Sequence, residues 1–186
     1  MPTRTSPPNC LGFTLFETAL GWCGIAWGAQ GLVGVQLPEV SAARTLARMQ
    51  QRFAGAPQTH PPDEVAWAMG VIAGLLRGER IDLGSIRLDM SAVPPFHQRV
   101  YAHVRAIPPG QTATYGEVAT SLGAPGAARA VGQAMGSNPF APVVPCHRVL
   151  AAGGKPGGFS ASGGTTTKLR LLLIERAEFG GAPGLF

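Results

Sequence analysis

The run Pro145-Cys146-His147-Arg148-Val149 places a thiol beside an imidazole and a guanidinium. A thiol reacts as the thiolate, and an adjacent imidazole, a positive neighbour or a helix N-terminus can lower its pKa from about 8.5 towards neutrality. Pro145 stiffens the approach, His147 offers a base and Arg148 a fixed charge, so these residues suit nucleophilic chemistry at sulfur. A cysteine in an apolar stretch such as Val143-Val144-Pro145-Cys146 is more often a small core residue. The surrounding sequence must decide between the two.

The elements that would position Cys146 can be read by pattern. Residues 13–37 are apolar, punctuated by glycines and without helical spacing, which predicts two or three short antiparallel strands. Residues 41–53, with Ser41 as cap and Leu46, Met49 and Phe53 recurring, predict a helix, and residues 63–76 a second one. Residues 81–90 alternate loosely and predict a returning strand, followed by a linker at residues 91–95 with consecutive prolines. Residues 96–107 then form a helix stopped by Pro108-Pro109-Gly110. Thr114-Tyr115-Gly116-Glu117 has capping-box spacing at the head of a short helix ended by Gly123. On a further helix over residues 127–137, Ala127, Ala130, Val131 and Ala134 share one side, while Arg129, Gly132, Gln133 and Gly136 share the other. The pair is a helix-turn-helix candidate whose outward face holds almost no bulk. Two glycines there cost about 1 kcal/mol each in helix propensity, a cost easier to accept where another surface, such as a phosphate backbone, approaches closely. The glycine-rich run from residue 153 to 164 lacks the phosphate-loop pattern and reads as an irregular wall beside Cys146. Thr165-Thr166-Thr167 caps a last helix that carries Leu169, Leu172, Leu173 and Glu175.

The 186 residues suit one ordinary domain or two small ones, and a 45% hydrophobic content can build a core. A net charge of +5 and a pI near 9.7 suit a polyanionic partner without requiring one. Cys10, Cys23 and Cys146 are too few and scattered for a disulfide framework, which favours a reducing compartment. No stretch approaches the about 20 apolar residues that span a bilayer, and residues 1–8 carry Arg4 with no apolar leader core behind it. A soluble intracellular protein is expected.

Six segments in order carry a family resemblance: Tyr115-Gly116-Glu117-Val118-Ala119, Ala127-Ala128-Arg129-Ala130-Val131-Gly132, Asn138-Pro139, Pro145-Cys146-His147-Arg148-Val149, Gly157-Gly158-Phe159-Ser160 and Glu175. At this spacing they resemble the O6-alkylguanine-DNA alkyltransferases over residues 96–177, while the first half resembles the family's N-terminal domain only in strand and helix order. The resemblance implies an α+β chain. A small N-terminal α/β, ribonuclease H-like supporting domain would cover residues 1–90, and a mainly helical, winged helix-turn-helix-like domain for DNA binding and catalysis would cover residues 91–186. It implies direct-reversal repair, in which Cys146 attacks the alkyl carbon on guanine O6, and on thymine O4 as a further substrate. An S-alkyl thioether offers no carbonyl to water, so one protein would repair one base.

By the same resemblance, His147 acts through a water as the base, Glu175 orients the imidazole, and Asn138 braces the hinge before the active-site strand. The Tyr115 hydroxyl would serve a guanine ring nitrogen. The N–H groups of Ser160 and Cys146 would face O6, the carbonyls of Cys146 and Val149 would take the exocyclic amine, and Phe159 would line the pocket. Arg129 would fill the stack vacated by the flipped base, Ala128 and Gly132 would let the helix sit deep in the minor groove, and Met135 would be a packing residue of that face. Phe159 replaces a tyrosine of many members, Ala141 a proline of some, and residues 160–164 form a longer loop than in the mammalian form. Cys10 and Cys23 lack histidine partners, so no metal and no cofactor are expected. The expected partner is double-stranded DNA containing alkylated guanine, met by a cytoplasmic monomer, nucleoid-associated in a bacterium, with no membrane. Two other readings remain: a non-catalytic binder of alkylated DNA, against which Cys146 argues, and a cysteine hydrolase, for which nothing outside the pentapeptide speaks.

Overall fold

Three strands, β1 (Gly12–Thr18), β2 (Gly21–Gly28) and β3 (Gly31–Gln36), make an antiparallel meander in the order β1-β2-β3, as the spacing of residues 13–37 predicts. A computed structural model describes residues 9–179; the leader reading over residues 1–8 lies outside them. The glycines in these strands have a packing reason. Helix α1 (Ala42–Arg52), capped by the Ser41 side chain accepting from the Arg44 N–H, lies against one face of the sheet. A Cβ on Gly24 would stand 2.5 Å from Met49 Sδ, and one on Gly34 2.5 Å from Phe53 Cζ. Helix α2 (Asp63–Leu76) joins Cys23, Ile25 and Trp27 on the other face through Val65, Ile72 and Leu75, following the two-residue period of the strand.

The predicted strand over residues 81–90 does not form. The Asp82 carboxylate accepts from the Gly84 N–H at 2.8 Å and the Ile86 N–H bonds Leu83 O, so local turns take the backbone groups a ladder would need. A single parallel bridge, Leu32 to Leu88, remains. Pro95 opens α3 (Pro95–Arg105) at a position where a missing N–H is tolerated.

The second half brings sequence-distant pieces to one place. β4 (Ala113–Thr114) pairs in parallel with β5 (Val149–Leu150), so the start of α4 (Tyr115–Ser121) sits beside the segment that follows Cys146. Its capping box is complete: Thr114 Oγ1 accepts from the Glu117 N–H at 3.1 Å, and Glu117 Oε2 accepts from the Thr114 N–H at 2.7 Å. Helix α5 (Ala128–Gly136) packs on α4, and α6 (Thr165–Ile174) closes the fold. Gly164, not a threonine, is the α6 N-cap, and the helix buries Lys168, Leu171 and Leu172 while Leu173 stays exposed. One apolar core runs from Ile25 and Leu75 through Val100 and Tyr101 to Val131, Val144 and Cys146.

Tyr101, 1% exposed, ties α3 to α5: its hydroxyl donates to Ala134 O at 2.8 Å, and its ring meets Phe140 edge-on. Tyr101→Phe is expected to lower stability by about 1 kcal/mol. Tyr101→Ala, which also opens a cavity, is expected to cost about 3 to 5 kcal/mol. Urea denaturation of the two variants checks this, and a wild-type midpoint in Tyr101→Phe would mean that the hydroxyl bond contributes nothing.

Candidate active site

Cys146 opens a 3-10 turn, Cys146–Arg148, directly after Pro145. The turn is held by the Cys146 N–H on Val144 O (2.8 Å) and the Arg148 N–H on Pro145 O (2.9 Å). It aims three consecutive side chains into the protein: Cys146 is 5%, His147 1% and Arg148 3% exposed. Two of them converge on Glu175, the C-cap of α6. Its Oε1 accepts from His147 Nε2 at 2.8 Å and from Arg148 Nη2 at 2.7 Å, and its Oε2 accepts from Arg148 Nε at 2.9 Å. Arg148 Nη1 donates to Ile107 O at 2.6 Å. The planar guanidinium thus engages the carboxylate with two parallel bonds, a geometry lysine cannot reproduce.

Burial tends to raise the Glu175 pKa, but the bonds from His147 and Arg148 outweigh it and hold the carboxyl at about 2. Burial lowers the His147 pKa against the pull of Glu175, with Arg148 and Lys168 adding to the lowering, so the ring is neutral. An ionised carboxylate can only accept, so the imidazole proton is on Nε2. The lone pair is therefore on Nδ1, a buried atom bonded to no protein group. His147 is thereby prepared to accept a proton at Nδ1.

The thiol itself differs from the sequence reading. Burial pushes the Cys146 pKa up, outweighing the Asn138 amide, the Lys168 charge and the backbone N–H groups of Cys146 and His147, which all favour the thiolate. Arg148 does not supply the fixed charge expected of it next to sulfur, because its fork is committed to Glu175. The cation near the thiol is Lys168, which sequence reasoning missed. It is 0% exposed, and its Nζ donates to Val149 O at 2.6 Å and Gly158 O at 3.3 Å and lies 5.7 Å from the Tyr115 ring centroid. Burial lowers its pKa to about 8, and Cys146 opposes that shift. The signal was available: Lys168, Leu171, Leu172 and Glu175 follow i, i+3, i+4, i+7 spacing, one helix face.

The other residues singled out by the sequence fall around this centre. Asn138 Nδ2 donates to Val144 O at 2.8 Å, and its Oδ1 accepts from the Phe140 N–H at 2.9 Å. Tyr115 is half-buried, its pKa raised by burial and then by Cys146. A Cβ on Gly157 would stand 3.1 Å from the Tyr115 hydroxyl, so this wall touches the tyrosine directly. The carbonyls of Cys146 and Val149 already accept one bond each, from the Val149 N–H and from Lys168, and each keeps a second lone pair. Phe159 packs half-buried at the edge of the core, while Ser160 is exposed. On α5, Arg129 is exposed, Ala128 and Gly132 are half-buried, and a Cβ on Gly132 or Gly136 would meet open space, so no internal contact demands those glycines. Met135, predicted as a packing residue of the outward face, is instead 4% exposed in the core beneath it, on the side α5 turns inward.

Glu175 makes stability depend on pH in a defined direction. Its folded pKa of about 2 lies below the ordinary 4.5, so its contribution is complete above pH 4.5 and is lost as pH falls towards 2. The full loss is roughly 3 kcal/mol. His147 adds in the same sense, since the unfolded chain takes up its proton near pH 6.5, before the folded one. Urea midpoints are expected to fall on acidification from pH 6.5, and Glu175→Gln is expected to cost about 3 to 5 kcal/mol at pH 7 by leaving Arg148 buried without its counter-charge, with a flatter profile below pH 4.5. An unchanged acid limb in Glu175→Gln would refute the assignment.

Residues 95–177 match the family model described as 6-O-methylguanine DNA methyltransferase, DNA binding domain. The chain is 42% identical over 128 residues to the methylated-DNA–protein-cysteine methyltransferase of Mycolicibacterium paratuberculosis, covering 64% of this chain and 75% of that one. Its fold is similar to Mycobacterium tuberculosis OGT in complex with DNA (TM-score 0.69, 33% identity, 89% of this chain and 94% of that chain). It is also similar to the O6-methylguanine-DNA methyltransferase from the archaeon Pyrococcus kodakaraensis (TM-score 0.69, 26% identity, 88% and 98%). The likeness therefore extends beyond the Cys146 turn into the first half, where motifs were scarce, and a mixed α/β chain of this architecture with a buried Cys-His-Glu centre belongs to the 6-O-methylguanine-DNA methyltransferase family, the methylated-DNA–protein-cysteine methyltransferases.

Proposed function

We propose that the chain repairs O6-alkylated guanine in duplex DNA by moving the alkyl group irreversibly to Cys146. The observation that carries this reading is a buried thiol beside a neutral histidine whose tautomer is set by an ionised carboxylate. The Cys146 proton passes to His147 Nδ1 through one water, the thiolate attacks the alkyl carbon, the carbon–O6 bond breaks, and guanine leaves with a proton from the Tyr115 hydroxyl, which the proton released by His147 through solvent then restores. Lys168 steadies the negative sulfur and, through Val149 and Gly158, the pocket wall. The Ser160 N–H, the carbonyls of Cys146 and Val149, and Phe159 receive the base, and Asn138 fixes the hinge; the Cys146 N–H, expected to face O6, is instead given to Val144 O. The product is a thioether, so the protein acts once. A non-catalytic binder needs no such thiol and is not favoured.

Helix α5 supports the DNA side of the reading. Its outward residues, Arg129, Gln133 and Gly136, are exposed, and its glycines leave bare backbone. A duplex can approach such a helix through the minor groove while Arg129 fills the gap left by the flipped base. In this reading α4 and α5 are the helix-turn-helix of a winged C-terminal domain over residues 91–186, and the meander with α1 and α2 is a ribonuclease H-like supporting domain over residues 1–90. No helix among the described residues is long and apolar enough to cross a membrane, and we place the protein in the cytoplasm as a monomer on DNA.

Incubated with duplex DNA carrying O6-methylguanine, the protein is expected to gain the mass of one methyl group, and Cys146→Ala none; an unmodified wild type would refute transfer. Arg129→Ala is expected to slow repair of duplex by at least about tenfold, near 1.4 kcal/mol, and to leave reaction with free O6-benzylguanine unchanged; equal losses on both would contradict base flipping. Gly132→Leu is expected to fold normally and to lose duplex repair selectively, which thermal denaturation and the same paired assay measure.

A further inference from the structure

A cleft of about 810 Å³ separates Gln36, Arg48 and Arg52 of the first half from Asn138, Pro139 and Ser160 of the second. The Pro139 carbonyl bridges it, accepting the Val35 N–H at 2.9 Å and Arg52 Nη2 at 3.2 Å. We propose that Arg52 is a positioning residue for the Cys146 thiol, acting through the Pro139–Phe140 peptide and Asn138, so that the first half of the chain sets the reactivity of the second.

The path is short and each step is rigid. Arg52 Nη1 donates to Val35 O and to Gln36 Oε1, both at 2.9 Å, and its guanidinium lies 5.0 Å from the Phe53 ring centroid. The planar fork therefore fixes where Nη2 can reach. Pro139 O and the Phe140 N–H belong to one planar peptide unit. Arg52 and Val35 hold its oxygen edge, and Asn138 Oδ1 holds its N–H edge at 2.9 Å. The other end of the same amide, Asn138 Nδ2, donates to Val144 O, which also accepts the Cys146 N–H, both at 2.8 Å. Asn138 is itself one of the groups that favour the thiolate. A displaced Pro139–Phe140 peptide rotates that amide away from sulfur, and small misplacements of this kind change rates by up to about a hundredfold.

The inference rests on Cys146 as alkyl acceptor, so the experiment reads the thiol in two ways: transfer from free O6-benzylguanine, which bypasses DNA docking, and alkylation by iodoacetamide as a function of pH, followed at the Cys146 peptide. Charged or titratable groups facing the thiol, namely His147, Lys168, Tyr115 and Tyr101, are unaltered in every Arg52 variant. Arg52→Met is expected to slow both reactions at least about tenfold and to shift the iodoacetamide profile to higher pH. Arg52→Lys keeps the charge without the fork and is expected to show a smaller loss in the same direction; if Arg52→Met does not fold, Arg52→Lys decides alone. In an Asn138→Ala background Arg52→Met is expected to add nothing, because the two act in series. Additive losses, or a wild-type profile in folded Arg52→Met, would overturn the assignment, whereas a wild type that takes iodoacetamide but no alkyl group would overturn the transfer reading instead.

Discussion

A carboxylate with 3% side-chain exposure cannot remain ionised unless its partners are supplied, and Glu175 obtains them from two successive residues, His147 and Arg148. That requirement joins the end of α6 to the turn carrying the nucleophile, and through Arg148 Nη1 to the turn after α3 at Ile107. The same charge determines the chemistry. Because Glu175 can only accept, the histidine must present its proton to it, which leaves the other nitrogen basic and without a protein partner. The buried ion pair is thus less a source of net stability than a device that excludes the alternative tautomer.

Burial acts on the thiol in the opposite direction. Buried in the same apolar core as Val131, Val143 and Val144, Cys146 is held as the thiol in the resting protein, a form less open to adventitious oxidation and alkylation. The neighbours that favour the thiolate, Asn138 and Lys168, do not overcome burial by themselves. They lower the cost of ionising the thiol, so in the proposed transfer, with His147 taking the proton, the resting state is protected without forfeiting reactivity.

The two halves divide the work unequally but share one core. Tyr101 binds α5 to α3, and Arg52 and Val35 reach from the first half to the turn that holds Asn138. The exposed side of α5 is left bare by residues for which the interior has no use. A helix packed tightly on its inner face and stripped on its outer one suits close docking against a rigid duplex.

Much of this was legible in the sequence wherever the governing interaction is local. The Ser41 cap, the Thr114–Glu117 capping box and the period-two strands depend on groups within a few residues of each other, and they appear where the pattern puts them. The returning strand at residues 81–90 was misread for the converse reason: its alternation was weak, and the Asp82 side chain captured the backbone first. The order of motifs also singled out Cys146, His147 and Glu175, and the fold bonds His147, next to Cys146, to Glu175. What the sequence could not decide was direction and burial. Whether Arg148 turns to sulfur or to Glu175, whether Met135 lies on the outward side of α5 or beneath it, and whether Lys168 is a surface charge or a buried cation depends on residues far away in the chain. The pKa of the thiol turns on the same thing, since desolvation is a property of the assembled core and no pentapeptide contains it.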